Sequence, residues 1–240
     1  MASTIRLHVD HAAGEGQTVT LTPSQAHYLF GVMRRGVGEV IEIFDGRHGT
    51  WAAEVVEARK KGGRLACRAQ VAEQRDPPDL WLLFAPIKKA RTDFIVEKAG
   101  EMGAARICPV QTEFTNSERV RRDRLQAHAV EAAEQCGGNF VPEVADAARL
   151  ETVLGSWDPA RRLMVCDEGL AGPATVLAGE ARGAWAVLIG PEGGFSDAER
   201  ARLGDYAFAR RVSLGPRILR ADTAAVAALA LWQQALGDWA

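Results

Sequence analysis

The chain has 240 residues, 47% of them hydrophobic and 25% charged, with a formal net charge of −2. That length suits one large domain or two smaller ones with a core that needs no staples, and a charge so near neutral gives no chain-wide nucleic-acid footprint, so an RNA partner would need a local basic patch. Cys67, Cys108, Cys136 and Cys166 lie far apart with no C-x-x-C pair, and nothing approaches the apolar run of a signal peptide or a bilayer span, which argues against a metal site, a disulfide framework or a membrane segment and for reduced thiols in the cytoplasm.

Residues 1–75 have β character. Ile5–Val9, Thr18–Leu21, Glu39–Phe44, Trp51–Glu57 and Leu65–Val71 are short runs of strand composition, and Asp45-Gly46 supplies a turn between two of them. One helix, over Ser24–Met33, interrupts them, and short strands with close turns predict a small barrel. Basic residues exceed acidic ones by two here and fall short by four over the remainder. This slight bias, carried by Arg34, Arg35, Arg59, Lys60, Lys61, Arg64 and Arg68, favours the first part as the one that touches RNA phosphate, with a solvated basic loop as the plain alternative.

Gln74 to Asp79 is polar and holds two prolines that cannot donate to a ladder, so it reads as a stiff linker between domains at 1–75 and 76–240. Beyond it the pattern becomes strand and helix in alternation. Leu80–Ala85 is a strand, Asp93–Met102 a helix closed by Gly103, and Arg106–Val110 the next strand, an order that implies a mainly parallel sheet covered by helices. Lys88, Lys89 and Arg91 fall in the loop at the carboxyl end of the first strand, where α/β proteins place ligands. Asn116 or Ser117 caps a long helix reaching Cys136, and Gly137-Gly138 ends it. Arg119, Arg121, Arg122 and Arg124 crowd its first turns against the macrodipole, for which phosphate contact is one reason. Arg162–Cys166 is a further strand, and Pro173–Ala181 a helix.

Two glycine-rich turns then follow, each between a strand and a helix. Trp185–Ile189 suits a strand buried on both faces; Gly190, Gly193 and Gly194 free the backbone after it; and Ser196 with Glu199 has capping-box spacing, so a helix begins at Asp197. The loop has neither P-loop nor dinucleotide spacing, and Glu192 and Asp197 would repel a phosphate. A ligand with hydroxyls, an amine or a positive centre fits better. Val212–Leu214 forms a short strand, Gly215-Pro216 turns the chain, and Ala221–Leu236 is a helix with Asp222 as its one charge, expected to be buried nearly all round.

The pair GPEGGFS and SLGPRILRADTA resembles the cofactor-binding motifs of the RsmE-type ribosomal RNA uridine-N3 methyltransferases, members of the SPOUT class. The resemblance extends through KKARTDFIVEKAGEMGAARICPV, AAEQCGGNFVPEV and HYLFGVMRRGVGEVIEIFDG, nearly the whole chain. It departs at Glu113-Phe114-Thr115 and at Gly138, where relatives often carry arginine. The resemblance implies an α/β fold: a PUA-like β-barrel that grips RNA, then a SPOUT domain with a mainly parallel sheet and a C-terminal trefoil knot. It implies methyl transfer from S-adenosyl-L-methionine to N3 of a uridine in 16S ribosomal RNA of the small subunit, by a cytoplasmic homodimer. Arg6, His27 and Arg34 fall where the family shows Arg, His and Arg. From sequence alone a structural role for His27 is the plainer reading.

On that reading the cofactor site comprises Cys166, Leu188, Ile189, Gly190, Glu192, Gly193, Gly194, Leu214, Gly215, Ile218, Leu219 and Thr223, with backbone groups for the adenine edge and apolar side chains around the ring. Arg220, oriented by Asp222, is expected to stabilise the anion developing on the base. Asp222 and Glu192 are the candidate proton acceptors, with bulk water as the alternative. RNA contacts fall to Arg6, His27, Arg34, Lys88, Lys89, Arg91, Arg119 and Arg121. A nucleotide-dependent reductase is opposed by the missing phosphate motifs, and a non-catalytic RNA-binding module by the intact glycine turns. Leu231, Trp232, Leu236 and Trp239 offer an apolar surface for a dimer, or else simple core packing.

Overall fold

The computed structural model describes residues 4–116, 120–167, 169, 177 and 179–239. The chain divides into two compact units, residues 1–76 with 133–141, and residues 77–132 with 142–240. Residues 133–141 therefore cluster with the first unit.

In the first unit β1 (Arg6–His8), β2 (Thr18–Thr20), β3 (Val40–Phe44), β4 (Thr50–Arg59) and β5 (Gly62–Ala72) form one sheet in the order β1-β3-β4-β5-β2. The β1–β3 pair is parallel and the others antiparallel. Alternation sends Leu7, Val19, Ile41, Ile43, Val55 and Leu65 from all five strands into one apolar core. The Asp45-Gly46 turn forms as expected: Asp45 Oδ1 accepts from the amides of Arg47 and His48, both at 2.9 Å, and Gly46 takes φ +79°. The expected helix starts at α1 (Pro23–Ala26), closed at its head by a Thr22–Gln25 capping box, and then widens into a π-helical turn, His27–Val32. Arg34 follows with φ +54°, the one non-glycine residue with positive φ among those described.

The second unit carries the parallel sheet. Its elements in chain order are β6 (Leu80–Phe84), α2 (Lys89–Glu101), β7 (Arg106–Gln111), α3 (Arg122–Cys136, whose last turn counts with the first unit), β8 (Glu143–Val144), β9 (Ala148–Arg149), α4 (Leu150–Gly155), β10 (Arg162–Cys166), β11 (Trp185–Ile189), α5 (Asp197–Asp205), β12 (Ala209–Val212) and α6 (Ala221–Leu236). The sheet runs β12-β10-β11-β6-β7-β8, with β9 also on β7, and every pair is parallel. β11 is buried at all five positions, as its unbroken apolar run demands. α4 packs on β7 and α5 on β12, whereas α2 and α6 pack on each other and α6 on β11.

Several boundaries differ from the linear reading. α2 begins at Lys89, not Asp93, because Thr92 Oγ1 accepts from the Ile87 amide and donates to its carbonyl, both at 3.0 Å, fastening the chain at the helix start. α3 begins at Arg122, and Ser117 and Arg119 lie outside the described residues, as do five of the nine residues of the expected Pro173–Ala181 helix; of its other four, residues 179–181 are not helical, Gly179 taking φ +85°. β12 ends at Val212, so Leu214 belongs to the loop. α6 is not buried all round. Ala224, Ala228, Leu229 and Trp232 line its core face, each core side chain of the larger type stabilising by about 1.5–3 kcal/mol, while Thr223, Leu231, Gln234 and Ala235 are exposed. Trp232 and Leu236 are core and cannot form an outer apolar surface; Leu231 and Trp239, 38% and 50% exposed, can.

Candidate active site

Register decides where the site lies. Cys166 pairs with both Ile189 and Val212, and Ile189 with Phe84, so the carboxyl ends of β12, β10, β11 and β6 stand side by side. Loops leaving the first three enclose a cleft of about 650 Å³. Among the expected cofactor residues, Cys166, Ile189, Gly190, Glu192, Leu214, Gly215, Ile218 and Leu219 line it. Leu188, Gly193, Gly194 and Thr223 do not. Leu188 points into the core against α4 and α5, and Thr223 is exposed on α6. Ala221 and Ala224, one turn apart on α6, form a wall that no motif announced.

The chemistry of the lining is mostly apolar with a few placed polar groups. Burial pushes the Cys166 thiol up to about 12, which makes it a neutral wall and not a nucleophile. Asp167, whose side chain is 1% exposed, accepts from Arg211 Nη2 at 2.7 Å, the Gly169 amide at 3.0 Å and Arg200 Nε at 3.3 Å. Burial alone would raise its carboxyl; the Arg211 hydrogen bond, the Gly169 amide and Arg200 outweigh burial and hold it below the usual carboxylate range. Sequence reasoning gave Asp167 no role. Its signal was a carboxylate directly after four consecutive apolar residues of a strand, at the ligand-bearing edge of a parallel sheet.

Asp222 does not orient Arg220. Its Oδ2 lies 2.6 Å from Arg91 Nη1 and its Oδ1 accepts from the Thr223 amide at 2.9 Å, so both oxygens are committed. The pair ties the first turn of α2 to the first turn of α6, and its side chains are 34% and 16% exposed. Arg220 is the N-cap of α6, exposed, and makes no side-chain bond to the helix start. Glu192 is exposed at the cleft and unbonded among the described residues.

The expected RNA residues divide. Arg6 is consumed within the first unit: it donates to Glu42 at 2.8 Å and to the Gly138 carbonyl at 2.7 Å, and its guanidinium lies over the Phe44 ring. That makes it a structural brace, not a phosphate ligand. His27 and Arg34 are exposed around the π-helical turn, where an unusual backbone marks a place worth testing. Lys88 and Lys89 are exposed and unbonded, Arg91 is held by Asp222, and Arg121 is exposed but paired with Asp123 at 2.6 Å.

Residues 74–233 match the RNA methyltransferase domain family. The chain belongs to that family. Residues 21–65 match the RNA methyltransferase PUA domain. This RNA methyltransferase is similar to ribosomal RNA small subunit methyltransferase E of Synechocystis sp., 33% identical with 89% of this chain and 72% of that one covered. The protein of the same name from Rickettsia conorii is 25% identical, with 94% and 93% covered. The crystal structure of the small subunit methyltransferase E of Neisseria gonorrhoeae bound to S-adenosyl methionine superposes with a TM-score of 0.89 at 27% identity, covering 99% of this chain and 100% of that one.

Within this RNA methyltransferase the first glycine turn has a tight local logic. The Gly194 amide donates to the Pro191 carbonyl at 2.9 Å, and Gly194 takes φ +67°. A Cβ on Gly190 would sit 3.1 Å from the Phe195 ring, and one on Gly193 would sit 3.3 Å from Phe114 Cβ. Phe114, at a position where the resemblance expected arginine, therefore buttresses the turn from outside. The Ser196–Glu199 capping box forms, and Glu199 also accepts from the Glu113 amide at 2.9 Å.

Proposed function

We propose that this chain transfers a methyl group from S-adenosyl-L-methionine to N3 of one uridine in 16S ribosomal RNA of the small subunit. The observation that carries this is a roughly nucleoside-sized cleft of about 650 Å³ at the carboxyl edge of a parallel sheet, in a chain of the RNA methyltransferase family. The residues present suit the cofactor. Gly190 lines the cleft directly after β11 with its missing side chain's place taken by the Phe195 ring, Leu214 and Ile218 supply apolar walls, and Gly215 at φ +116° lets the second turn fold back over the cleft. When bound, S-adenosyl-L-methionine supplies a methyl already activated by its sulfonium charge.

This chain's own part is alignment and electrostatics. Arg220, exposed beside the cleft and free of the ion pair expected for it, supplies the cation for the oxygens of the deprotonating base. Glu192 is the proton acceptor, because the oxygens of Asp222 are already committed and Glu192 has none spent. His27, Arg34, Lys88, Lys89 and Arg121 are the RNA-facing residues, the first unit gripping RNA and the second carrying the reaction. The chain works in the cytoplasm; no helix among the described residues is long and apolar enough to cross a membrane. It pairs with a second copy through the exposed strip of α2 and α6 that includes Phe94 and Leu231, each 38% exposed.

The test is mass mapping of 16S RNA from cells lacking the protein, with methyl transfer measured on the missing site. One methyluridine should disappear and return with the wild-type chain. The Arg220→Ala chain should bind cofactor normally but methylate about a hundredfold more slowly, as when an electrostatic donor is removed. Full turnover by that variant would remove Arg220 from the mechanism.

A further inference from the structure

A second cleft, of about 590 Å³, opens in the second unit beside the helix that the glycine turn feeds. Its floor is apolar, made by the buried Leu150, Leu154 and Leu203. Gln111 and Arg149 stand at its mouth as register partners on β7 and β9, so their side chains leave the ladder as neighbours.

Most of the charge around it is already used. Glu199 gives one oxygen to the Ser196 amide and the other to the Glu113 amide, each at 2.9 Å, and Glu151 pairs with Arg202 at 2.7 Å. Four groups remain unbonded among the described residues: the Gln111 amide, the Glu113 carboxylate, the Arg149 guanidinium and the Tyr206 hydroxyl. One free cation, one free acceptor-only carboxylate and one two-way amide around a floor of leucines describe a narrow class of ligand. It has a flat, partly apolar body, N–H donors on one edge and a single negative charge.

We infer that this cleft holds a nucleotide of the RNA strand adjacent to the methylated uridine, one whose base carries an amino group. The inference rests on the proposed function. The base lies on Leu150, Leu154 and Leu203, its amino group donates to Glu113, Gln111 reads the rest of the edge, and Arg149 takes the phosphodiester. Uracil fits less well, because the one N–H of its edge lies between two carbonyls that would crowd the Glu113 carboxylate. A free mono- or diphosphate fits poorly as well, since it brings more negative charge than one unspent guanidinium matches, whereas a phosphodiester brings one. Adjacency rests on the chain stretch that serves both clefts: Pro191 and Glu192 line the first, and Glu199, in the helix they lead into, lines the second.

The experiment uses the full chain saturated with S-adenosyl-L-methionine and a labelled 16S RNA fragment containing the mapped uridine, with affinity read by fluorescence anisotropy over a range of salt. Arg149→Ala should weaken binding about tenfold and make the salt slope shallower by about one unit. Arg182→Ala, an exposed cation just before β11 at the opposite edge of the sheet, should change neither. Replacing the flanking amino-bearing base with uracil should weaken binding to the wild type and not to Glu113→Gln. Unaltered affinity and slope in Arg149→Ala, or an equal loss in Arg182→Ala, would overturn the inference. Cofactor affinity by calorimetry and methyl transfer by the wild type report on the proposed function separately. An inactive wild type would sink that reading, and the RNA affinities would still decide this one.

Discussion

The Arg91–Asp222 pair offers the sharpest prediction, because it joins two helix starts and one of them is the wall of the cleft. Removing Asp222 as Asp222→Ala strips Arg91 of its partner at 2.6 Å and the Thr223 amide of its acceptor at 2.9 Å. Exposed pairs contribute about 0.2–1 kcal/mol and breaking a buried one costs about 3–5. With side chains 34% and 16% exposed, this pair lies between those limits, so the pair term should be about 1–1.5 kcal/mol. Loss of an acid from the first turn of α6 adds about 0.5 kcal/mol. A total near 2 kcal/mol should lower Tm by about 4–8 °C in a chain of this size. Tryptophan fluorescence is a suitable probe, since five of the six tryptophans lie beyond residue 76, in the second unit. A double-mutant cycle with Arg91→Ala isolates the coupling, expected at about 1 kcal/mol. Because Ala221 and Ala224 flank Asp222 and line the cleft, cofactor affinity should fall in both single variants. Coupling below about 0.3 kcal/mol with normal cofactor affinity would refute the strut and return Arg91 to the list of RNA contacts.

Two further outcomes follow from the cleft. Asp167 has a folded pKa below its unfolded value, so its contribution is present above the ordinary carboxylate range and is lost as pH falls through the folded value; Asp167→Asn should destabilise at neutral pH, and its difference from wild type should vanish in strong acid, as checked by urea melts across pH. Gly190→Val would drive a side chain toward the Phe195 ring, 3.1 Å from the Cβ position, and should weaken cofactor binding about tenfold or more by calorimetry; normal affinity in the folded variant would misplace the cofactor.

The sequence by itself determined the elements whose cause is local. β11 was readable because five consecutive apolar residues suit only a strand covered on both sides, and the α5 start because Ser196 and Glu199 satisfy each other's backbone within four residues. The Asp45-Gly46 turn was equally legible, since Asp45 and the positive φ of Gly46 are its whole mechanism. The two glycine turns located the cleft for the same reason.

Partnership across the chain was decided only by the tertiary structure. Asp222 and Arg220 are near neighbours in sequence, so linear reading paired them, but the fold brings Arg91 to Asp222 from 131 residues away. Arg6 looked like a free cation until Glu42 and the Gly138 carbonyl, 132 residues distant, took its donors. Trp232 and Leu231 are adjacent and equally apolar, yet one is core and the other surface, because helical phase against β11 and α2 separates them. The second cleft left no trace in the sequence, since Gln111 and Arg149 become neighbours only when β7 and β9 pair. Hydrogen bonds within a few residues are written in composition and spacing; which distant charge neutralises which is written only in the register of the sheet and the packing of its helices.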